Sequence, residues 1–162
     1  MRLVKGDLFK VEADAIGHGV NCRGVMGAGI AKVFKAKWPQ MFSDYKSMCD
    51  LGLAPGHSEV YLTDTNQILV NLFTQDEPGP NATKEWLRLA LADASQKLFN
   101  LSDPDDGKVV FAMPLVGCGI GGLEFADLWT TLELMNQIWG NYIEYVVVYT
   151  DDNEELVPEE WR

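Results

Sequence analysis

Twice in this chain an apolar run gives way to a glycine-rich turn and then to an amphipathic run. The first is GHGVNCRGVMGAGIAKVF, residues 17–34, with five glycines; the second is KVVFAMPLVGCGIGGLEF, residues 108–125. Glycine loses more backbone freedom on folding than any other residue, so clustering it at two strand-to-helix junctions is costly. KVVFAMPLV is a continuous apolar strand, as expected of one covered on both faces. A strand of that kind needs helices on both sides of its sheet, which commits the chain to a three-layer α/β/α fold with a mostly parallel, mixed central sheet.

The rest of the pattern agrees. RLVKGDLF starts as a strand and breaks at Gly6–Asp7, and AIGHGVN is a second strand entering the first glycine loop. Residues 27–37 read as a helix with Ile30, Val33 and Phe34 as its apolar stripe, stopped by Trp38–Pro39. A second helix covers QMFSDYKSMCDLG, with Gly52 as its stop. SEVYLTD and QILVNLFT are strands joined by a tight turn at Thr65–Asn66, and QDEPGPNAT is a loop. Asn81 or Thr83 caps the helix KEWLRLALADASQKLF. SDPDDG is a turn, FADLWTTLELMNQIW a helix ending at Gly140, and IEYVVVYT a final apolar strand. Residues 1–162 are expected to form one domain, with residues from about 151 onward as a solvated acidic end.

Ligands of such folds sit beyond the carboxyl ends of the strands, where both glycine loops fall. Glycines there let an oxygen-rich ligand approach the backbone, and the helix-start N–H groups face it with the positive end of the macrodipole behind them. Loop one (residues 21–31) and loop two (residues 117–122) facing each other would grip a diphosphate. Neither has the Gly-Lys-Ser/Thr of a P-loop, and GVMGAG matches a dinucleotide fingerprint only loosely. The formal charge of −11 repels polyanions at long range, so nonspecific nucleic-acid binding is not expected, whereas backbone amides still bind an anionic small ligand. No apolar run reaches a membrane span, and MRLVKGDLFKVEADA has no signal-peptide layout. Cys22, Cys49 and Cys118 are odd in number and lack metal-site spacing, which suits a reduced cytoplasmic (intracellular) protein without disulfides. With two histidines and no ligand spacing among the acidic residues, no metal and no cofactor are expected.

VKGDLF, HGVNCRGVMGAGIAKVF, LVNLFTQ, MPLVGCGIGGLEF and the terminal VVVYT occur in an order that resembles a macro domain over nearly the whole chain. The resemblance is to stand-alone macro domains of the ADP-ribose-1″-phosphate phosphatase and terminal ADP-ribose hydrolase groups. It implies an ADP-ribose site, free or protein-linked, in a monomer without membrane contact. Asp7 then matches the acceptor of the adenine amino group and Leu8 its neighbouring backbone contact. Asn21 matches the distal-ribose contact. Gly27, Ala28, Gly29 and Ile30 match the first diphosphate loop, and Leu115, Val116, Gly117, Cys118, Gly119, Ile120 and Gly121 the second. His18 matches a histidine of the phosphatase and is the candidate catalytic group, as base or phosphoryl acceptor. Each side chain also has a structural reading: Asp7 and Asn21 as turn residues, His18 as a partly buried ring fixing loop one.

The terminal ADP-ribose hydrolases use a lysine and an aspartate at positions that here hold Gln75 and Gly121. Glutamine has no amine for a Schiff base and glycine has no side chain, which argues against that chemistry. Three functions stay open: a phosphatase acting on ADP-ribose-1″-phosphate, a non-catalytic reader of ADP-ribose, and a lysine-independent hydrolase of ADP-ribosyl conjugates.

Overall fold

Six strands form one sheet in the order β1-β6-β5-β2-β4-β3. They are β1 (Arg2–Lys5), β2 (Ala15–Val20), β3 (Ser58–Leu62), β4 (Ile68–Phe73), β5 (Val109–Met113) and β6 (Ile143–Tyr149). All pairings are parallel except the β3–β4 hairpin. Asn66 makes the turn of that hairpin at φ 64°, the left-handed conformation that asparagine tolerates. This computed structural model describes residues 1–162, apart from the side chain of Pro104.

The strands bury both faces, and alternation assigns each side chain to one of two cores. Ile16, Val20, Leu69, Phe73, Ala112, Val146 and Val148 face α1 (Gly29–Lys37) and α2 (Pro39–Asp50), which contribute Phe34, Met41 and Tyr45. Val70, Leu72, Phe111, Met113, Tyr145 and Val147 face α3 (Lys84–Leu101) and α4 (Phe125–Trp139), which contribute Leu87, Leu91, Leu98, Leu128 and Leu132. The expected three-layer arrangement is therefore observed. No helix among the described residues is long and apolar enough to cross a membrane.

Helix starts differ in a way that matters for the site. Thr83 caps α3 by accepting from the Trp86 amide at 3.1 Å. Glu124 and Asp127 form a reciprocal capping box on α4. Proline at the first position starts α2. Helix α1 begins after Ala28, which has no side chain able to cap it.

The chain end departs from the expected solvated tail. Residues 151–156 coil into 3-10 turns, Val157 is fully buried, and Trp161 packs on Phe125 and Trp129 with ring centroids 6.1 and 4.8 Å away. The acidic side chains point outward from a segment whose few apolar residues anchor it.

Candidate functional site

Strands β2 and β5 are neighbours, and the chain leaves them toward opposite faces, through α1 and α4. Their carboxyl ends part at a crevice, and both glycine loops meet there. The crevice is a cavity of about 460 Å³ lined by the two loops, by Thr74, Gln75, Pro78 and Gly79 after β4, and by Asn153 and Leu156 from the chain end. That volume lies within the range of small-molecule sites.

Asn21 shapes loop one. Its Oδ1 accepts from the Arg23 amide at 2.9 Å, the Val25 amide at 3.4 Å and the Tyr45 hydroxyl at 2.9 Å, while Nδ2 donates to the Val25 carbonyl at 2.8 Å. Tyr45 is fully buried in α2, and burial pushes its hydroxyl well above the ordinary phenol range, so it remains a donor. The loop then enters α1 through Gly29 at φ 56°, a left-handed conformation that would strain any other side chain. The amides of Gly27, Ala28, Gly29, Ile30 and Ala31 find no acceptor among the described residues.

Loop two is braced from within. Cys118 N donates to Leu115 O at 3.0 Å, Gly122 N to Gly119 O at 3.2 Å and Leu123 N to Gly117 O at 2.8 Å. This folding leaves the amides of Gly117, Gly119, Ile120 and Gly121 without acceptors among the described residues. A Cβ on Gly121 would lie 2.7 Å from the Gly117 carbonyl oxygen, so the tight turn excludes a side chain. The Ile120 side chain reaches across to loop one, its Cδ1 3.5 Å from where a Gly29 Cβ would stand. Two sets of unpaired amides thus face one cavity. No titratable side chain lines it: Asn21, Thr74, Gln75 and Asn153 are its polar ones. Among the described residues no cluster suits a metal ion.

The cavity gathers Asn21, Gly27, Ala28, Gly29, Ile30, Leu115, Val116, Gly117, Gly119, Ile120 and Gly121 from the residues singled out in the sequence. Four others stand elsewhere. Cys118 is buried, its Sγ directed at the Val116 and Glu124 carbonyls, and burial pushes its thiol up to about 12. Leu8 is 4% exposed and belongs to the α1/α2 core. Asp7 caps the short 3-10 turn at residues 8–10, with Oδ1 accepting from the Phe9 amide at 3.0 Å. Arg23, beside loop one, is spent on Asp76 and Glu77 at 3.0 and 3.1 Å.

His18 is the clearest correction. Alternation along β2 puts it on the face of Ile16 and Val20, under α1 and away from the cavity. It is 0% exposed, stacks on Phe34 at a centroid distance of 3.8 Å and an interplanar angle of 6°, and places Nε2 2.7 Å from Asn71 Oδ1. Asn71 in turn donates to Glu59 Oε2 at 3.0 Å. A ring sealed behind Phe34 reaches no substrate, so the expectation that His18 is a base or phosphoryl acceptor is withdrawn. Burial lowers its pKa from 6.5 to about 4, against the opposing hydrogen bond to Asn71. The unfolded chain takes up a proton near pH 6.5 that the folded protein refuses until about pH 4. Its contribution to stability is therefore complete above pH 6.5 and is lost as pH falls toward 4, by about 3 kcal/mol in total. Urea unfolding across this range is expected to show that loss in the wild type and not in His18→Gln. Equal slopes for the two proteins would show that the ring is not held neutral.

Sequence reasoning missed Thr74, Pro78, Gly79, Asn153 and Leu156 as lining residues. The Pro-Gly content of QDEPGPNAT marked a loop but not its partner; the Leu-Val pair inside the acidic end was the available sign that this segment docks.

A mostly parallel sheet with two glycine loops closing on an amide-lined crevice is the architecture of an anion-binding α/β domain. The macro domain family matches residues 18–131, and the chain belongs to it. Among curated relatives, the chain is 29% identical over 151 residues to the ADP-ribose 1″-phosphate phosphatase of Candida albicans, covering 87% of this chain and 97% of that one. It is 30% identical over 128 residues to the DNA ADP-ribosyl glycohydrolase of Mycobacterium tuberculosis, covering 76% of this chain but spanning only 35% of that protein's length. Among solved structures, it resembles the macrodomain of Mycobacterium tuberculosis DarG with a TM-score of 0.78 and 27% identity, over 90% of this chain and 96% of that one.

Proposed function

We propose that the chain binds ADP-ribose in the crevice between loops one and two and releases the terminal phosphate of ADP-ribose-1″-phosphate. The observation that carries this reading is the pair of facing loops whose amides have no partner of their own. Such amides are fixed donors to phosphate oxygens and need no lysine or arginine. Similarity to a phosphatase of matching length supports the reaction. In this assignment the diphosphate lies between Gly27–Ile30 and Gly117–Gly121, and Asn21 stands at the distal ribose with the second Nδ2 proton unspent. Asp7 takes the adenine amino group through Oδ2, since Oδ1 is engaged by Phe9, and Leu8 offers its backbone beside it.

The reaction is hydrolysis by water with the substrate held in place. The amides stabilise charge on the phosphates, and orientation supplies the rate. The lining offers neither the amine nor the carboxylate of a lysine–aspartate route. A formal charge of −11 disfavours substrates attached to nucleic acid, so free or protein-linked ADP-ribose derivatives fit better. We further propose that the protein acts as an intracellular monomer.

One feature favours a second reading, a non-catalytic reader: no titratable side chain lines the cavity. Phosphate release from ADP-ribose-1″-phosphate by purified protein separates the two. The phosphatase reading expects release, with a pH profile that follows only the substrate's own phosphate ionisation, near ~6. Binding of ADP-ribose without any release selects the reader.

A further inference from the structure

We propose that Gln75 positions the attacking water, an inference that rests on the phosphatase reading. Gln75 leaves β4 and is 9% exposed. Its Nε2 donates to the Glu77 carbonyl at 2.7 Å and the Gly79 carbonyl at 3.1 Å. Only an NH₂ group can face two carbonyls, so these bonds fix which end of the amide is oxygen. Oε1 accepts from no group among the described residues, yet it is not sealed in: the one buried side-chain polar atom there without a partner is His18 Nδ1. Gln75 lines the cavity, and with Nε2 held by the Glu77 and Gly79 carbonyls Oε1 is the uncommitted end of its amide.

The cavity's other side-chain carbonyls are already engaged by the protein. Asn21 Oδ1 accepts three bonds, and Asn153 Oδ1 accepts from the Thr150 amide at 2.8 Å. Thr74 offers a rotatable hydroxyl, which fixes no direction. Gln75 Oε1 is thus a free acceptor, held in orientation by the Nε2 bonds, on the wall after β4 of a cavity that loop two also lines. A water donating one proton to Oε1 has its lone pairs turned away from that wall, toward a substrate held by the amides.

The water oxygen bonds to phosphorus, the phosphorus–oxygen bond to the anomeric oxygen breaks, and that oxygen leaves with the electron pair and takes the proton carried by the phosphate monoanion. The proton lost by the water goes to a phosphate oxygen, because a neutral amide carbonyl orients water without accepting its proton. Glutamine serves the same end in other phosphoryl transfers. The products are ADP-ribose and inorganic phosphate.

Two variants separate positioning from bracing of the wall. Gln75→Met removes the acceptor and both donors. Gln75→Glu, while protonated, keeps a donor toward the wall and a carbonyl oxygen toward the cavity. Turnover of ADP-ribose-1″-phosphate by Gln75→Met is expected to fall about 10²-fold, with the dissociation constant for ADP-ribose changed by less than about threefold. Turnover by Gln75→Glu is expected to recover toward wild type as pH falls. In isotope-labelled water the label should enter inorganic phosphate. The proposal is overturned by a Gln75→Met turnover within about threefold of wild type, or by a loss matched by the loss of ADP-ribose affinity. Inorganic phosphate released without label overturns it too. If Gln75→Met fails to fold, the Gln75→Glu pH profile decides: no recovery at low pH overturns it. A wild-type protein that releases no phosphate removes the phosphatase reading and this one together, a failure recognisable without any variant.

Discussion

Gly119→Val is expected to move ADP-ribose binding from micromolar to beyond millimolar, a loss of more than about 4 kcal/mol, while the melting temperature stays where it was. Gly119 lines the cavity, and its amide has no acceptor. A Cβ there meets nothing within 4 Å, and Gly119 is not among the glycines held at positive φ, so valine costs the fold little. What valine removes is the close approach of a phosphate oxygen to the backbone. Gly121 is less informative, because a Cβ 2.7 Å from the Gly117 carbonyl would distort loop two itself. Arg23→Ala is the matched control. Arg23 is half-exposed and committed to Asp76 and Glu77, so its loss should change affinity by no more than about 1 kcal/mol. A larger effect at Arg23 than at Gly119 would mean that cations, not amides, hold the ligand.

The fold was legible where periodicity and punctuation were strong. The apolar run KVVFAMPLV, the proline after Trp38 and the glycine at position 140 each mark an element edge that the structure keeps within a few residues, the strand itself ending at Met113. The loops were legible as loops because glycine is rarely spent at a strand-to-helix junction without cause. That they face each other was not, since it depends on β2 and β5 being neighbours, a pairing between strands 88 residues apart in the register Ala15 to Ile16 with Phe111 to Ala112.

His18 shows what such a reading lacks. The alternation Ile16–His18–Val20 places the ring on the same face as two core aliphatics, yet nothing in the sequence says that α1 covers that face and presents Phe34 to it. A histidine beside a binding loop and a histidine beneath it have the same sequence signature. The chain end failed for the opposite reason: its composition is that of a solvated tail, and only the pairing of Leu156 in the cavity wall with buried Val157 shows that it packs. Gln75 was noticed for the lysine chemistry it cannot do. The acceptor it leaves free depends on two carbonyls, of Glu77 and Gly79, that a loop read only from its prolines does not locate.

The central claim is that two amide-lined loops form an ADP-ribose site, and calorimetric titration of ADP-ribose into the wild-type protein tests it most directly. The cavity is large enough, at about 460 Å³, and presents unpaired amides from both sides to a diphosphate that brings its own charge. One site is expected, with micromolar or tighter affinity, about −8 kcal/mol. Because no lysine or arginine lines the cavity, that affinity should depend only weakly on salt. At ligand concentrations near ~100 times the dissociation constant, binding should stabilise the fold by about 2.7 kcal/mol and raise the melting temperature accordingly. No heat and no thermal shift at millimolar ADP-ribose would contradict the account.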